Sequence, residues 1–123
     1  MKHEEKQLIL QDLSARLPYG VICLIHNINS DDYNVSITGN DIDLFSHHFI
    51  TIKPYLRPMT SMTEEERIES LEFAWIDDYG RLASYDKNIP KYIDWLNKKM
   101  FDYRGLIPMN LALEAPVGMY KIE

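Results

Sequence analysis

Cysteine is nearly absent from this chain of 123 residues: Cys23 is the only one. A single thiol excludes an intrachain disulfide and a multi-cysteine zinc site, and its place in the apolar run Val21 to Ile25 marks it as a core filler. That run is the longest of its kind, far short of the ~20 residues that span a bilayer. The opening Met1-Lys2-His3-Glu4-Glu5 holds no apolar signal core. With only five glycines there is no phosphate-cradling loop, and no Gly-x-Ser-x-Gly elbow is present to raise a serine nucleophile. Positive charge is also short, 13 Lys+Arg against 19 Asp+Glu, and the net charge of −6 repels a phosphate backbone. These shortages disfavour membrane, nucleotide and direct nucleic-acid binding, and point to a reducing cytoplasm and no cofactor.

What the chain does have is an ordinary globular composition, 46% apolar. At this length folding buries roughly two-thirds of the surface, enough for one core, so residues 1–123 are read as a single domain. The acidity sits in two blocks, −4 over residues 31–50 and −5 over 61–90, both interrupted by apolar residues at structural spacing. They read as solvated faces and loops rather than disordered tails.

Glu4 to Leu17 has the pattern of an amphipathic helix, with Ile9, Leu13 and Leu17 in one row, polar residues opposite, and Pro18 ending it. Tyr19 to His26 is short and rich in β-branched residues, as a central strand would be. Tyr33, Val35 and Ile37 alternate with polar residues in a second strand, Gly39-Asn40-Asp41 signals a turn, and His48 to Lys53 gives a third strand closed by Pro54. Three short strands with tight connections suggest a small curled antiparallel sheet, with an SH3-like partial barrel as one way to close it. After Pro58 the period becomes helical: Ile68, Leu71 and Trp75 form a stripe, a Thr63–Glu66 capping box starts it, and Gly80 ends it. A third helix is capped by Asn88 and carries Ile93, Leu96 and Met100, with Gly105 and Pro108 breaking it. The tail from Leu106 to Ile122 reads as ordered extended chain with a short strand near Leu111 to Leu113. The expected class is α+β: an N-terminal helix, a small sheet, two helices and an extended C-terminal segment.

Three stretches carry a resemblance: Leu17-Pro18-Tyr19-Gly20-Val21, then Lys53-Pro54-Tyr55-Leu56-Arg57-Pro58-Met59 leading through Ser61-Met62-Thr63 to Glu66, and Asp102-Tyr103-Arg104-Gly105-Leu106-Ile107 leading to Glu114-Ala115-Pro116. In order, and over most of the chain, they resemble a family of small proteins of Bacteroides-group gut bacteria encoded near prophage or other mobile-element genes. The resemblance implies a bacterial cytoplasmic setting and the helix, sheet, helices arrangement. It brings no assigned activity and no catalytic residues, and this chain departs from the family between Asn27 and Asp43.

Chemistry-bearing residues are few. Asp41, Asp43, His47 and His48 are of metal-ligand type for Zn or Mn, with His26 nearby if its strand pairs with the one beginning at His48, and an open position there would activate water for hydrolysis. Adjacent strand residues point to opposite faces, however, which works against His47 and His48 sharing an ion. Tyr55, Arg57, Met59 and Met62 lie in a proline-bracketed connector that suits recognition of a partner, or else pins the chain to its own sheet. Tyr103 and Arg104 pose the same choice, with Arg104 binding an anion, pairing with Glu114, or capping the third helix. Eight tyrosines and two tryptophans exceed what a minimal core needs and are common at interfaces. The leading expectation is a non-enzymatic protein that binds a host or viral protein through the connector and Tyr103-Arg104, and a homo-oligomer is compatible with the sequence. The alternatives are a small metal-dependent hydrolase and a nucleic-acid mimic presenting the acidic face from Glu64 to Asp78.

Overall fold

The computed structural model describes residues 2–76, 82–84 and 89–120, with 74–76 and 82–84 as backbone. They form helices α1 (His3–Arg16), α2 (Gly39–Ser46), α3 (Glu64–Ser70) and α4 (Ile89–Lys98) and strands β1 (Ile22–His26), β2 (Tyr33–Ser36), β3 (Thr51–Leu56), β4 (Ala74–Ile76), β5 (Leu82–Ser84) and β6 (Leu113–Glu114). The main sheet has the order β2-β1-β3-β6. β1 pairs antiparallel with both neighbours, and β6 joins the far edge parallel to β3. β4 and β5 make a separate antiparallel pair. The α+β class expected from the sequence is present, but the sheet is open and mixed rather than an antiparallel partial barrel, because a parallel tail strand occupies the edge that closure would need. Among the described residues no helix is long and apolar enough to cross a membrane.

α1 lays Ile9 and Leu13, both fully buried, against Cys23 and Ile25 of β1 and Ile52 and Leu56 of β3. Glu4 and Glu5 at its start and Arg16 in its last turn suit the helix dipole. Pro18 turns the chain into one 3-10 turn, which ends at Gly20 with φ 75°. The polar residues are not all on the outside as the row pattern suggested: Lys6, Asp12 and Arg16 are buried as well. Arg16 Nε donates to both carboxylate oxygens of Asp12 at 3.0 Å, so each ion supplies the other's missing solvation.

The expected turn at Gly39 is instead the first turn of α2. Thr38 Oγ1 accepts from the Asp41 amide at 3.2 Å while the Asp41 carboxylate accepts from the Thr38 amide at 3.0 Å, a capping box that commits the chain to a helix and buries Phe45. His48 then takes φ 66° in the connection, so β3 begins at Thr51 and not at His48.

α3 starts at the expected Thr63–Glu66 box. It stops early because the Ser70 hydroxyl donates to the Arg67 carbonyl at 2.7 Å and the next amides bond three residues back. Ile68 and Leu71, the expected buried stripe, are 61% and 57% exposed. The end at Gly80 and the cap at Asn88 lie outside the described residues, as does Ile122 of the tail. In α4 and just after it, Leu96 and Met100 of the expected row are buried, with Tyr92 and Trp95 beside them, while Ile93 is 38% exposed. Met100, at φ 64°, turns the chain after the helix, ahead of Gly105.

A second cluster of Tyr92, Trp95, Leu96 and Phe101, with Phe73 against it, stands beside the main core. The two meet along a polar seam at the end of β3. There Arg57 N–H donates to the Met100 carbonyl at 2.7 Å, Asp102 N–H to the Arg57 carbonyl at 2.8 Å, and buried Arg16 Nη2 to the Phe101 carbonyl at 2.6 Å.

Candidate functional site

The connector leaving β3 and the strand β6 run together because the tail completes the sheet there. Pro54 sits inside β3 without breaking its pairing to β1. The Leu56 carbonyl accepts from Ala115 N–H at 2.8 Å, so Leu56, and by alternation Pro54, point their main-chain groups toward the β6 side. The missing proline N–H therefore faces away from β1, ahead of the first β6 pair at Tyr55. Just past the Cys23–Pro54 pair, the Tyr120 hydroxyl accepts from Ile22 N–H at 2.9 Å and donates to the Tyr55 carbonyl at 2.7 Å. It bridges β1 and β3 where they diverge, and pins the tail as an arch over the end of the sheet.

Under and beside this arch lie two grooves. One, of about 420 Å³, is walled by Arg57, Pro58, Ser61, Pro116, Val117 and Tyr120. The other, of about 290 Å³, is walled by Met59, Asp102, Gly105, Ile107 and Pro108. Pro58 and Glu114 border both.

Of the residues expected to bind a partner, most hold the fold. Arg57 makes a two-pronged ion pair with Glu66 at 2.7 and 2.6 Å and lies over the Phe101 ring, 4.2 Å from its centroid. Met62 packs against the aromatic cluster. Tyr55 faces the other side of the sheet, its hydroxyl on Asn34 at 3.0 Å. Arg104 pairs with Asp12 at 2.7 Å, not with Glu114, and the Tyr103 ring lies under both Arg16 and Arg104. Asp102 accepts from the amides of Leu106 and Ile107 at 2.8 and 2.9 Å. Only Met59 remains exposed at the grooves, joined by Val117. Glu114 is exposed, and among the described residues no cation pairs with it.

The expected metal ligands do not converge. Asp41 caps α2, Asp43 and His47 are an exposed pair on one helical turn, and His48 Nδ1 lies 2.7 Å from Lys6 Nζ. His26 instead faces Asp32. Among the described residues no three His, Cys, Asp or Glu side chains gather as an ion would require. The expected acidic face is also partly consumed, since Glu66 is held by Arg57 and Glu69 accepts from the Trp95 indole, while Asp77 and Asp78 lie outside the described residues. Burial, with Asp12 and Asp41 nearby, pushes the Cys23 thiol up to about 12, so it stays protonated and unreactive at neutral pH.

The Arg57 guanidinium, outweighing the effect of burial, lowers the Glu66 carboxyl to about 2. Because the folded value lies below the unfolded one, this pair stabilises the fold fully above the ordinary carboxylate range and loses that contribution as pH falls toward about 2. The stability gap between the parent protein and Glu66→Gln, measured by denaturant unfolding, is therefore expected to shrink steadily on acidification. A gap of constant size down to the bottom of that range would refute the assignment.

Asp12, Arg16 and Tyr120 were not singled out from the sequence. The i,i+4 spacing of Asp12 and Arg16, with Asp12 next to Leu13 in the buried row, was the available signal. Tyr120 had none, because its partners lie 98 and 65 residues away. No protein-family model, curated protein or solved structure matches the chain.

Proposed function

We propose that the protein is a non-enzymatic interaction module, encoded by a phage or mobile element, that binds a host or viral protein in the bacterial cytoplasm. The mobile-element setting and the compartment rest on the sequence resemblance and on the single buried thiol. The binding role is supported by one observation: the groups able to do chemistry around β3 are engaged with one another, leaving a grooved face of Met59, Pro58, Pro116 and Val117 around Glu114. Exposed apolar side chains beside a rigid, proline-bracketed backbone lose little entropy on docking, which is what a recognition surface requires.

A random peptide display library selected on the immobilised protein tests this reading, with the enriched peptides mapped by amide shift changes. Changes are expected at Met59, Ser61, Glu114, Val117 and Gly118, and Met59→Asp with Val117→Asp is expected to abolish binding without altering the circular dichroism spectrum. Failure to enrich any sequence, or changes confined to the opposite end of the sheet around Ile28 and Phe49, would overturn it.

A further inference from the structure

Resting on that reading, the grooves also specify a ligand chemistry. Glu114 lies on the outermost strand of the sheet, and β6 is only two residues long. Since Ala115 turns its N–H inward to Leu56, Glu114 turns its own N–H and carbonyl outward, a backbone rung to which no group is bonded among the described residues. Glu114 lines both grooves. The remaining walls are largely apolar on either side: Pro116 and Val117 toward one groove, Met59, Ile107 and Pro108 toward the other. Arg57 is paired with Glu66, and the Asp102 carboxylate is buried with two amides donating to it, so among the described residues Glu114 is the exposed, unpaired charge at the grooves.

We propose that this face takes an extended, cationic segment of another protein, a lysine or arginine with apolar residues two positions to either side, with the cation on Glu114 and those residues, which share its face, in the two grooves. An extended strand advances roughly 3.3 Å per residue, so a few residues reach across the border that Glu114 shares. It can use the single backbone rung, which a helix, with its amides already bonded, cannot. Apolar walls limit the water around the ion pair and strengthen it over an open-surface pair. The net charge of −6 steers such a segment toward the protein at low salt.

The probes are acetylated, amidated and fluorescently labelled Val-Ala-Lys-Ala-Val and its counterparts with Glu or Met at the centre, titrated by anisotropy. The lysine peptide is expected to bind about tenfold tighter than the glutamate peptide, with the methionine peptide between them. Glu114→Gln should erase that preference, Glu114→Lys should invert it, and added salt should narrow it. Equal affinity for the three peptides, or no binding of the lysine peptide, overturns the proposal. So does self-association of the protein that Glu114→Lys dissolves, because the occupant would then be a second copy. If library peptides map to Met59 and Val117 without a cation preference, the charge assignment fails while the interaction reading stands. If no peptide reaches this face, both fail.

Discussion

Asp12→Ala is expected to lower the unfolding free energy by about 3–5 kcal/mol, among the largest effects a single substitution has here, because it strips the counter-ion from a fully buried arginine. Among the described residues, Asp12 is the one carboxylate contacting both Arg16 and Arg104, and Arg16 Nη1 already lacks a partner. Without Asp12, the two guanidinium groups that it bridges are left beside the Tyr103 ring with no carboxylate between them, and the Phe101 carbonyl still accepts from Arg16. Guanidinium-induced unfolding followed by circular dichroism measures the loss. The double variant Asp12→Leu with Arg16→Met should regain much of it, since a buried ion pair replaced by packed apolar residues is often close to neutral. A single variant as stable as the parent would show that Asp12 is not the counter-ion that the geometry makes it.

Arg57→Ala should cost about 2–3 kcal/mol, more than an exposed connector residue could, since it removes two charge-assisted hydrogen bonds to Glu66 and the cover of the Phe101 ring. Arg57→Lys should recover only part, as an ammonium cannot reproduce the planar fork. Thermal and denaturant midpoints report the loss, and peptide binding measured on the still-folded fraction separates it from recognition. A variant with unchanged midpoints but abolished peptide binding would return Arg57 to the recognition surface, where the sequence reading had placed it.

That reversal shows what kind of information the chain's order carries. Local signals were legible: the α1 row of Ile9 and Leu13, the stop at Pro18 and the Thr63–Glu66 box all depend on neighbours within a few residues, whereas the expected apolar face of β2 leaves Tyr33 exposed. Gly39 to Asp41 reads as a turn because the same small polar residues serve a turn and the first turn of a capped helix, and only the burial of Phe45 further on decides between them. The extent of α3 was overestimated because periodicity does not see the Ser70 hydroxyl taking the Arg67 carbonyl. The candidate site was legible as a place, the proline-bracketed connector, but not in its roles. Arg57, Tyr103 and Arg104 look available in sequence, and their partners Glu66, Arg16 and Asp12 reach them only after α1, β3 and the segment following α4 have come together. Glu114 became conspicuous for the opposite reason, as the acid left over once the others were matched.

The Tyr120 bridge has a bearing on the order in which the molecule is made. Its hydroxyl ties the first strand to the third from a position 98 residues downstream of Ile22, so a ribosome has synthesised nearly all of this stretch before the junction can be sealed. Until then the Ile22 amide and the Tyr55 carbonyl, where β1 and β3 diverge, lack the hydroxyl that joins them, and unpaired strand groups are where nascent chains are prone to stick to one another. Polypeptides that stop before Tyr120 should therefore be degraded faster than those that include it.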